Sequence, residues 1–277
     1  MTQVMATLLL GLIGAGIQSS RSPRLHMEEG SAHGLKCEYR LIDLDRLGVG
    51  VEALPALLAN AKREGFNGLN VTFPCKQSII PLLDELSPDA RAINAVNTIV
   101  MRDDRLIGHN TDASGFAEGF RRGLPDAPLD RVVLLGAGGA GAAVAHAALE
   151  LGVRRLAIFD VDPARARELA KKLGAEATSD LGSAMATADG LIHCTPTGMA
   201  KMPGLPLDAR LIEPRHWVAE IVYFPLETEL LRVARAKGCR TLDGSGMAVF
   251  QAARAFRLFT GIEPDAERMM RTFQSMG

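Results

Sequence analysis

Between the apolar run Val132-Val133-Leu134-Leu135 and the alanine-rich stretch Ala142–Leu151, the chain passes through Gly136-Ala137-Gly138-Gly139-Ala140-Gly141. A strand, a glycine turn and a helix in that order leave few folds open. A backbone without Cβ atoms can turn tightly, and the helix that follows aims unpaired N–H groups and a partial positive charge at whatever lies before it. The matching ligand is a pyrophosphate, so the segment is expected to open a dinucleotide-binding domain. In a chain with 28 glycines the pattern alone is weak, and its surroundings decide. A second strand-like run, Leu156-Ala157-Ile158-Phe159, ends in Asp160, about 20 residues past the glycines, where a carboxylate can accept hydrogen bonds from ribose hydroxyls. A ribose phosphate there would meet like charge, costing about 4 kcal/mol for unit charges about 4 Å apart at an effective dielectric near about 20. NAD is therefore expected over NADP. Asp162 before Pro163 reads as a helix N-cap, and Arg165 and Arg167 as a solvated helix face.

At 277 residues the chain can form one large or two medium domains, and 47% hydrophobic residues suffice for their cores. A net charge of −1 gives no electrostatic reason to expect nucleic acid or an anionic membrane, which points to small polar molecules as partners. The apolar run from Leu8 to Ile17 lacks a basic region before it, is broken by Gly11, Gly14 and Gly16, and is too short to span a bilayer; it reads as a first buried strand. Cys37, Cys75, Cys194 and Cys239 have no metal-ligand spacing and suit reduced thiols in a cytoplasm. No metal is expected. His26 with Glu28 and Glu29 reads as ordinary helix surface, because no second cluster completes a ligand shell.

The whole is expected to be an α/β protein of two segments in tandem. Strand-like runs at Leu8–Ile13, Tyr39–Ile42, Gly68–Phe73 and Asn97–Val100 alternate with helical patterns such as Leu54–Arg63, and Leu191–Cys194 and Trp217–Val222 continue a parallel-sheet rhythm before the amphipathic stretch Met247–Phe259. The early Gly11-Leu12-Ile13-Gly14-Ala15-Gly16 lacks the closing glycine of a nucleotide loop and leads into the polar Gln18-Ser19-Ser20-Arg21-Ser22-Pro23. Ser20, Ser22 and the helix start at Pro23 can jointly receive a carboxylate or simply cap the helix. Polar residues also end or open apolar runs at Asn70-Val71-Thr72-Phe73-Pro74-Cys75-Lys76, at Asn94-Ala95-Val96-Asn97-Thr98 and at His109-Asn110-Thr111-Asp112. Singly, each fits a turn, a cap of a helix beginning near Ser114 or a solvated charge. Together they suggest a pocket for a polyol.

On these residues the chain resembles the shikimate dehydrogenase family over nearly its full length. The resemblance is carried by Ser20-Arg21-Ser22-Pro23, Asn70 to Lys76, Asn94 to Thr98, Asn110 to Asp112, the glycine loop, Thr195-Pro196-Thr197-Gly198-Met199, Val222-Tyr223-Phe224-Pro225, and Gly246-Met247 followed by Gln251. It implies a substrate-binding and catalytic domain over 1–112, a Rossmann domain over 113–246, and a helical segment over 247–277 packing back toward the first. It further implies reversible oxidation of the carbon-3 hydroxyl of shikimate or quinate, with Lys76 and Asp112 as the catalytic dyad. Ser20 and Ser22 would hold the substrate carboxylate and Tyr223 close that end, while Asn70, Thr72, Asn97 and Gln251 fix ring hydroxyls. Gly136, Ala137, Gly138, Gly139, Ala140 and Gly141 would receive the pyrophosphate, Asp160 the ribose, and Thr195, Val222, Gly246 and Met247 the nicotinamide half.

The chain departs from the NADP-dependent pattern, where an asparagine-arginine-threonine cluster stands in place of Asp160-Val161-Asp162, and so looks like the NAD-using quinate/shikimate branch. Glu220 stands where many relatives carry aspartate, which leaves the support of the Tyr223 segment open. The alternatives are an NADP-dependent biosynthetic shikimate dehydrogenase, a sensor that binds without turnover, and a methylene-tetrahydrofolate dehydrogenase, whose pterin the paired serines and hydroxyl-facing groups would suit poorly. A monomer and a homodimer are both compatible with the sequence.

Overall fold

Two six-stranded sheets organise the chain, and the computed structural model describes residues 7–276. The chain divides into one unit of Met1–Thr111 with Val249–Gly277 and a second of Asp112–Ala248. In the first, β1 (Thr7–Gly14), β2 (Lys36–Asp43), β3 (Gly68–Val71), β4 (Glu85–Leu86), β5 (Thr98–Arg102) and β6 (Arg105–His109) lie in the order β2-β1-β3-β5-β6-β4. Strand β1 runs parallel to β2 and β3, whereas β5 is antiparallel to both β3 and β6.

Alternation along β1 explains how this sheet is covered. Leu9 and Ile13 face a core with Leu54, Leu58 and Ala61 of helix Leu54–Arg63, while Leu10 and Leu12 face a second core with Ala255 and Phe259 of helix Ser245–Thr260. Strand β6 has no counterpart in the apolar pattern of the sequence, because Arg105-Leu106-Ile107-Gly108-His109 is short and mixed in polarity. Its signal lies in the turn before it, where Asp103 and Asp104 both take positive φ (50° and 62°), the geometry of a tight hairpin.

In the second unit, β7 (Arg131–Leu135), β8 (Arg155–Phe159), β9 (Glu176–Ala177), β10 (Gly190–His193), β11 (Trp217–Glu220) and β12 (Arg240–Leu242) are all parallel, in the order β12-β11-β10-β7-β8-β9. The order reverses between β7 and β10, which opens a crevice beyond the carboxyl ends of those strands, where doubly wound sheets bind ligands. Val133, Leu135, Leu191 and Val218 on the sheet meet Leu230, Leu231 and Ala234 of helix Glu229–Ala236. Trp217 packs edge-on against Phe120 at 5.0 Å between ring centroids and donates its indole N–H to the Pro128 carbonyl at 2.8 Å. Among the described residues, no helix is long and apolar enough to cross a membrane, and all four cysteines are free.

One expectation fails in this layer. His26 and Glu29, read from sequence as helix surface, are 0% and 1% exposed on helix Ser22–Ala32. Glu29 Oε1 and Oε2 accept from the Arg268 guanidinium at 2.6 and 2.8 Å, and Oε1 also accepts the Asp265 N–H at 2.8 Å. Burial alone would raise its carboxyl pKa, but the bonds from Arg268, Asp265 and His33 outweigh this and hold it low. A buried charge is tolerable when it is paired in this way, and the pair ties the first helix to helix Ala266–Gln274.

His26 is stacked at 5.4 Å from Tyr39 and 6.2 Å from Phe256, and neither ring nitrogen has a hydrogen-bond partner among the described residues. Burial is the largest cause and pushes the imidazole down to about 4, outweighing the nearby Glu29 charge. The unfolded chain therefore takes up a proton before the folded one, so stability is full above the ordinary histidine value and falls as pH drops from there toward the folded one. The loss attributable to this ring is about 2 kcal/mol between about pH 7 and pH 5, nearing about 3 kcal/mol at lower pH. In urea unfolding, His26→Phe is expected to lose about 2 kcal/mol less than the parent over that pH interval; equal pH dependence in both proteins would contradict it.

Candidate active site

In the first unit the functional loops leave the carboxyl ends of β1 and β3. Ser20 and Ser22 follow β1, and Lys76 sits in the short helical turn Cys75–Ser78 after β3. Backbone bonds join the two loops: Ala15 N–H donates to Phe73 O at 2.9 Å and Thr72 N–H to Ile13 O at 3.0 Å. The Thr72 methyl covers Gly14, where an added Cβ would come within 2.3 Å of it. Ser20 Oγ accepts the Ser22 N–H at 3.3 Å, while Arg21 at the N-cap makes no side-chain capping bond. Between the serines Arg21 turns inward, stacking 4.4 Å from the Phe273 ring centre and donating to the Phe273 carbonyl at 3.3 Å. It thereby anchors the loop, leaving both serines partly exposed.

Asp43, which the sequence reading missed, fixes the same loop from the end of β2. Its 3%-exposed carboxylate accepts Gly16 N–H at 3.0 Å, Ile17 N–H at 3.3 Å, the Gln18 side-chain amide at 2.7 Å and Asp45 N–H at 3.2 Å. Burial would raise its pKa, but the four donors together hold it below the usual value. The available signal was an acidic residue closing an apolar strand in register with Gly14.

The amides and hydroxyls expected to grip a polyol form one buried hydrogen-bonded chain. Tyr39 Oη donates to Asn70 Oδ1 at 2.8 Å, Asn70 Nδ2 to Thr98 Oγ1 at 3.3 Å, and Thr98 Oγ1 to Asn97 Oδ1 at 3.0 Å. Asn97 Nδ2 donates to Thr111 Oγ1 at 2.9 Å and Asn97 Oδ1 accepts Thr111 N–H at 2.7 Å, with Thr111 Oγ1 donating to Gln251 Oε1 at 3.5 Å. Asn70 and Asn97 are both buried, and Gln251 is partly exposed at the far end of these bonds. Asp112, 5% exposed, begins helix Asp112–Gly123 two residues earlier than the capping pattern suggests, and its charge lies in the favourable first turn.

In the second unit the glycine loop fits a dinucleotide on steric grounds. Gly136 has φ +101°, and a Cβ there would approach Cys194 O to 2.7 Å; one on Gly141 would strike Gly136 O at 1.9 Å. Those two glycines serve the turn and the packing of the helix on the strand. Gly138 differs, for a Cβ there would meet no atom within 4 Å, so its open face lies at the start of helix Gly139–Glu150, which has no side-chain cap. Gly139, Ala140 and Gly141 form the first helical turn, whose N–H groups can receive a pyrophosphate. Asp160 accepts Ala137 N–H at 2.7 Å and Asp162 N–H at 2.9 Å, and so holds the loop while keeping acceptor capacity. Asp162 caps helix Pro163–Leu173 through Ala164 N–H, as its place before proline implied.

At the neighbouring strand ends Glu220, 2% exposed, answers how the Tyr223 segment is supported. It accepts Val222 N–H at 2.9 Å, the Thr228 hydroxyl at 3.1 Å and His193 Nδ1–H at 2.8 Å, and His193 Nε2 in turn meets Thr195 Oγ1 at 2.5 Å. The apolar look of Leu191-Ile192-His193-Cys194 concealed this histidine. Burial, and then the Glu220 charge, push the Cys194 thiol well above its ordinary value, so it stays neutral. Val222 is buried and Tyr223 partly exposed; Gly246 is buried in the first turn of helix Ser245–Thr260, with its backbone 3.2 Å from where a Gly119 side chain would begin, and Met247 is partly buried beside it. Among the described residues no group of histidine, cysteine and acidic side chains is placed to hold a metal ion.

A glycine loop at a topological switch point, with a strand-end carboxylate beside it, has the form of a dinucleotide-binding domain, and the relatives of this chain are oxidoreductases that act on an alcohol with a nicotinamide dinucleotide. Family models for the shikimate dehydrogenase substrate-binding domain, the shikimate 5'-dehydrogenase C-terminal domain and the coenzyme F420-dependent NADP oxidoreductases match residues 12–99, 244–272 and 131–203. A shikimate dehydrogenase (NADP(+)) of Streptomyces avermitilis is 59% identical over 95% of this chain and 93% of its own. A quinate/shikimate dehydrogenase (NAD(+)) of Corynebacterium efficiens is 49% identical over 98% and 99%. The structure of quinate dehydrogenase from Corynebacterium glutamicum in complex with NAD superposes with a TM-score of 0.90 at 47% identity, covering 97% of this chain and 99% of that one. The chain belongs to the shikimate dehydrogenase family.

Loss of the carboxylate that collects the amides of the serine loop should loosen that loop selectively. In Asp43→Ala, the Gly16 and Ile17 amides are expected to exchange hydrogen at least about tenfold faster, as follows from losing roughly 1.5 kcal/mol or more of charge-assisted bonding. The Leu134 amide in β7 serves as control and should keep its rate; unchanged exchange at Gly16 and Ile17 would show that the loop stands without Asp43.

Proposed function

We propose that the protein is an NAD-preferring shikimate/quinate dehydrogenase that interconverts the carbon-3 hydroxyl of the ring acid and the corresponding ketone. The single observation that carries the NAD preference is Asp160, whose carboxylate closes β8 and tethers the glycine loop by way of Ala137. Relatives named for NADP and for NAD both lie near this chain, so the discrimination rests on its own residues. A ribose phosphate next to Asp160 would be repelled, whereas ribose hydroxyls can donate to the acceptor capacity that remains. The first arginine on the following helix, Arg165, is 3.5 Å from Asp162 and so sits in an acidic setting.

Nicotinamide, when bound, supplies the hydride acceptor for oxidation and the donor for reduction. The chain must hold the ring acid and move a proton at its oxygen. Ser20 and Ser22, on a loop fixed by Asp43 and Arg21, receive the carboxylate through their hydroxyls and the start of their helix. Asn70, Thr72, Asn97 and Gln251 orient the ring hydroxyls, with Thr72 and Gln251 the partly exposed members of the set. Lys76 and Asp112 are the groups assigned to the reacting hydroxyl: in oxidation the dyad takes up its proton, and in reduction protonated Lys76 returns one to the oxygen.

Two measurements test this reading. Lys76→Ala and Asp112→Ala are each expected to lower kcat for shikimate oxidation by at least about 100-fold, the scale of positioned acid–base catalysis, with the Kd for NAD nearly unchanged. Near-normal kcat in both would remove the dyad, and binding of shikimate or quinate with no NADH formed by the parent would favour a sensor. In Asp160→Ala, the ratio of kcat/KM with NAD to that with NADP should fall at least about tenfold, as expected when about 1.4 kcal/mol or more of repulsion is lifted. An unchanged ratio, or a parent that prefers NADP, would mean that this carboxylate does not read the ribose.

A further inference from the structure

Of the four strands that close the edges of the two sheets, three are too short to invite a further strand: β4 and β9 have two residues each and β12 three. The fourth is β2, with eight residues, and among the described residues no strand lies beyond it. Which of its peptide groups point outward follows from β1. Leu9 O accepts Asn67 N–H at 2.8 Å, Ile13 O accepts Thr72 N–H at 3.0 Å and Ala15 N–H donates to Phe73 O at 2.9 Å, so the odd-numbered residues there turn toward β3. The even-numbered ones turn toward β2. Leu10 lies opposite Tyr39, and in a parallel ladder it bonds to the residues on either side, Glu38 and Arg40. The N–H and C=O groups of Cys37 and Leu41 therefore point away from the sheet.

A long edge is ordinarily blunted by charge, and β2 carries Lys36, Glu38 and Arg40 on one exposed face. Their signs alternate, and that decides which strand they exclude. In an antiparallel pair of two β2 strands, outward peptide groups must meet outward groups, which puts the two-fold axis on a residue and not between two. Centred on Tyr39, the register sets Cys37 against Leu41 in hydrogen-bonded pairs and Glu38 against Arg40 in the pairs between them, whose side chains come closest. Centred on Glu38, it opposes that residue to itself and Lys36 to Arg40; centred on Arg40, it opposes two arginines. Charge selects the first register. The Glu38 and Arg40 side chains are 49% and 45% exposed and bond within the strand at 2.6 Å, and a guanidinium with donors to spare can keep that bond while reaching a second carboxylate. On the other face Cys37 and Leu41, half-buried against the cluster of Leu10, Leu12 and Phe259, would join two such clusters into one.

We propose that two copies of this chain pair antiparallel through β2, about a two-fold axis at Tyr39, and join their first sheets into one continuous sheet. The contact is isologous, so each copy gives the same surface and the Glu38–Arg40 pair occurs twice. The partner is a second copy because a foreign strand would need the same alternation of charge in the same register.

Sedimentation velocity and amide hydrogen exchange test this pairing. The parent is expected to be a dimer at about 100 μM, with its Cys37 and Leu41 amides exchanging at least about tenfold slower than after dilution to the monomer. The Leu134 amide in β7 should exchange alike in both. Glu38→Arg leaves only cations on the exposed face, and Arg40→Glu puts anions at both paired positions; each should weaken self-association at least about tenfold. An equimolar mixture of the two variants restores both cross-strand pairs and should dimerise like the parent. A parent that is monomeric at about 100 μM would overturn the proposal, as would a dimer in which Cys37 and Leu41 exchange as fast as in the monomer. Variants that each self-associate as tightly as the parent, or a mixture that does not recover, would show that another surface makes the contact. Should a variant fail to fold, as read by circular dichroism, the exchange rates of the parent decide alone.

Discussion

At the carboxyl ends of β2, β8 and β11 an acidic side chain accepts hydrogen bonds both from the residue two places on and from the loop or strand end beside it. Asp43 takes Asp45 N–H and then Gly16 and Ile17; Asp160 takes Asp162 N–H and then Ala137; Glu220 takes Val222 N–H and then His193. Parallel strands that end level make this possible: Gly14 is in register with Asp43 and His193 with Glu220, so the acid closing one strand reaches the segment leaving its neighbour. A carboxylate near the interior is costly unless donors surround it, and loop amides need acceptors when they turn away from the sheet. Each need meets the other, and the serine loop, the glycine loop and the start of the Tyr223 segment are held in the process.

The two units use this device beneath different chemistry. Above Asp43 stand hydroxyls and a chain of neutral amides, groups that exchange hydrogen bonds with a polyol without demanding a charge. Above Asp160 and Glu220 stand a glycine loop with an uncapped helix start and the Thr195 hydroxyl, which meets the His193 ring. The first set suits a ring acid with several hydroxyls, the second the anionic middle of a dinucleotide, which is the division of labour a dehydrogenase needs between substrate and cofactor.

Much of this was legible in the order of residues. The run from Val132 to Leu151 announced its strand, turn and helix because a phosphate loop needs glycine at fixed places, and Asp162 before Pro163 announced a cap because both act on their immediate neighbours. Strand β6 escaped because its hydrophobic signal is weak and its partner β5 runs antiparallel to it through a turn of two aspartates. His26 and Glu29 were misread as surface, since polarity along a helix says nothing of an arginine more than two hundred residues later or of rings from β2 and the last long helix that close over it. His193 escaped for the opposite reason, hidden in an apolar strand whose partner stands on the next one.

The sequence by itself determined the local events: where the chain turns, which strand ends are acidic, which residues could handle a phosphate, a hydroxyl or a proton, and which family they resemble. Only the tertiary structure decided which partners these groups meet, burying Asn70 and Asn97 in one hydrogen-bonded chain, drawing Arg21 onto Phe273, and setting His193 between Glu220 and Thr195. The physical reason is that a turn or a cap is set by neighbours within a few residues. The free hydrogen-bonding capacity of a side chain, by contrast, is what remains after every partner brought by the fold has taken its share.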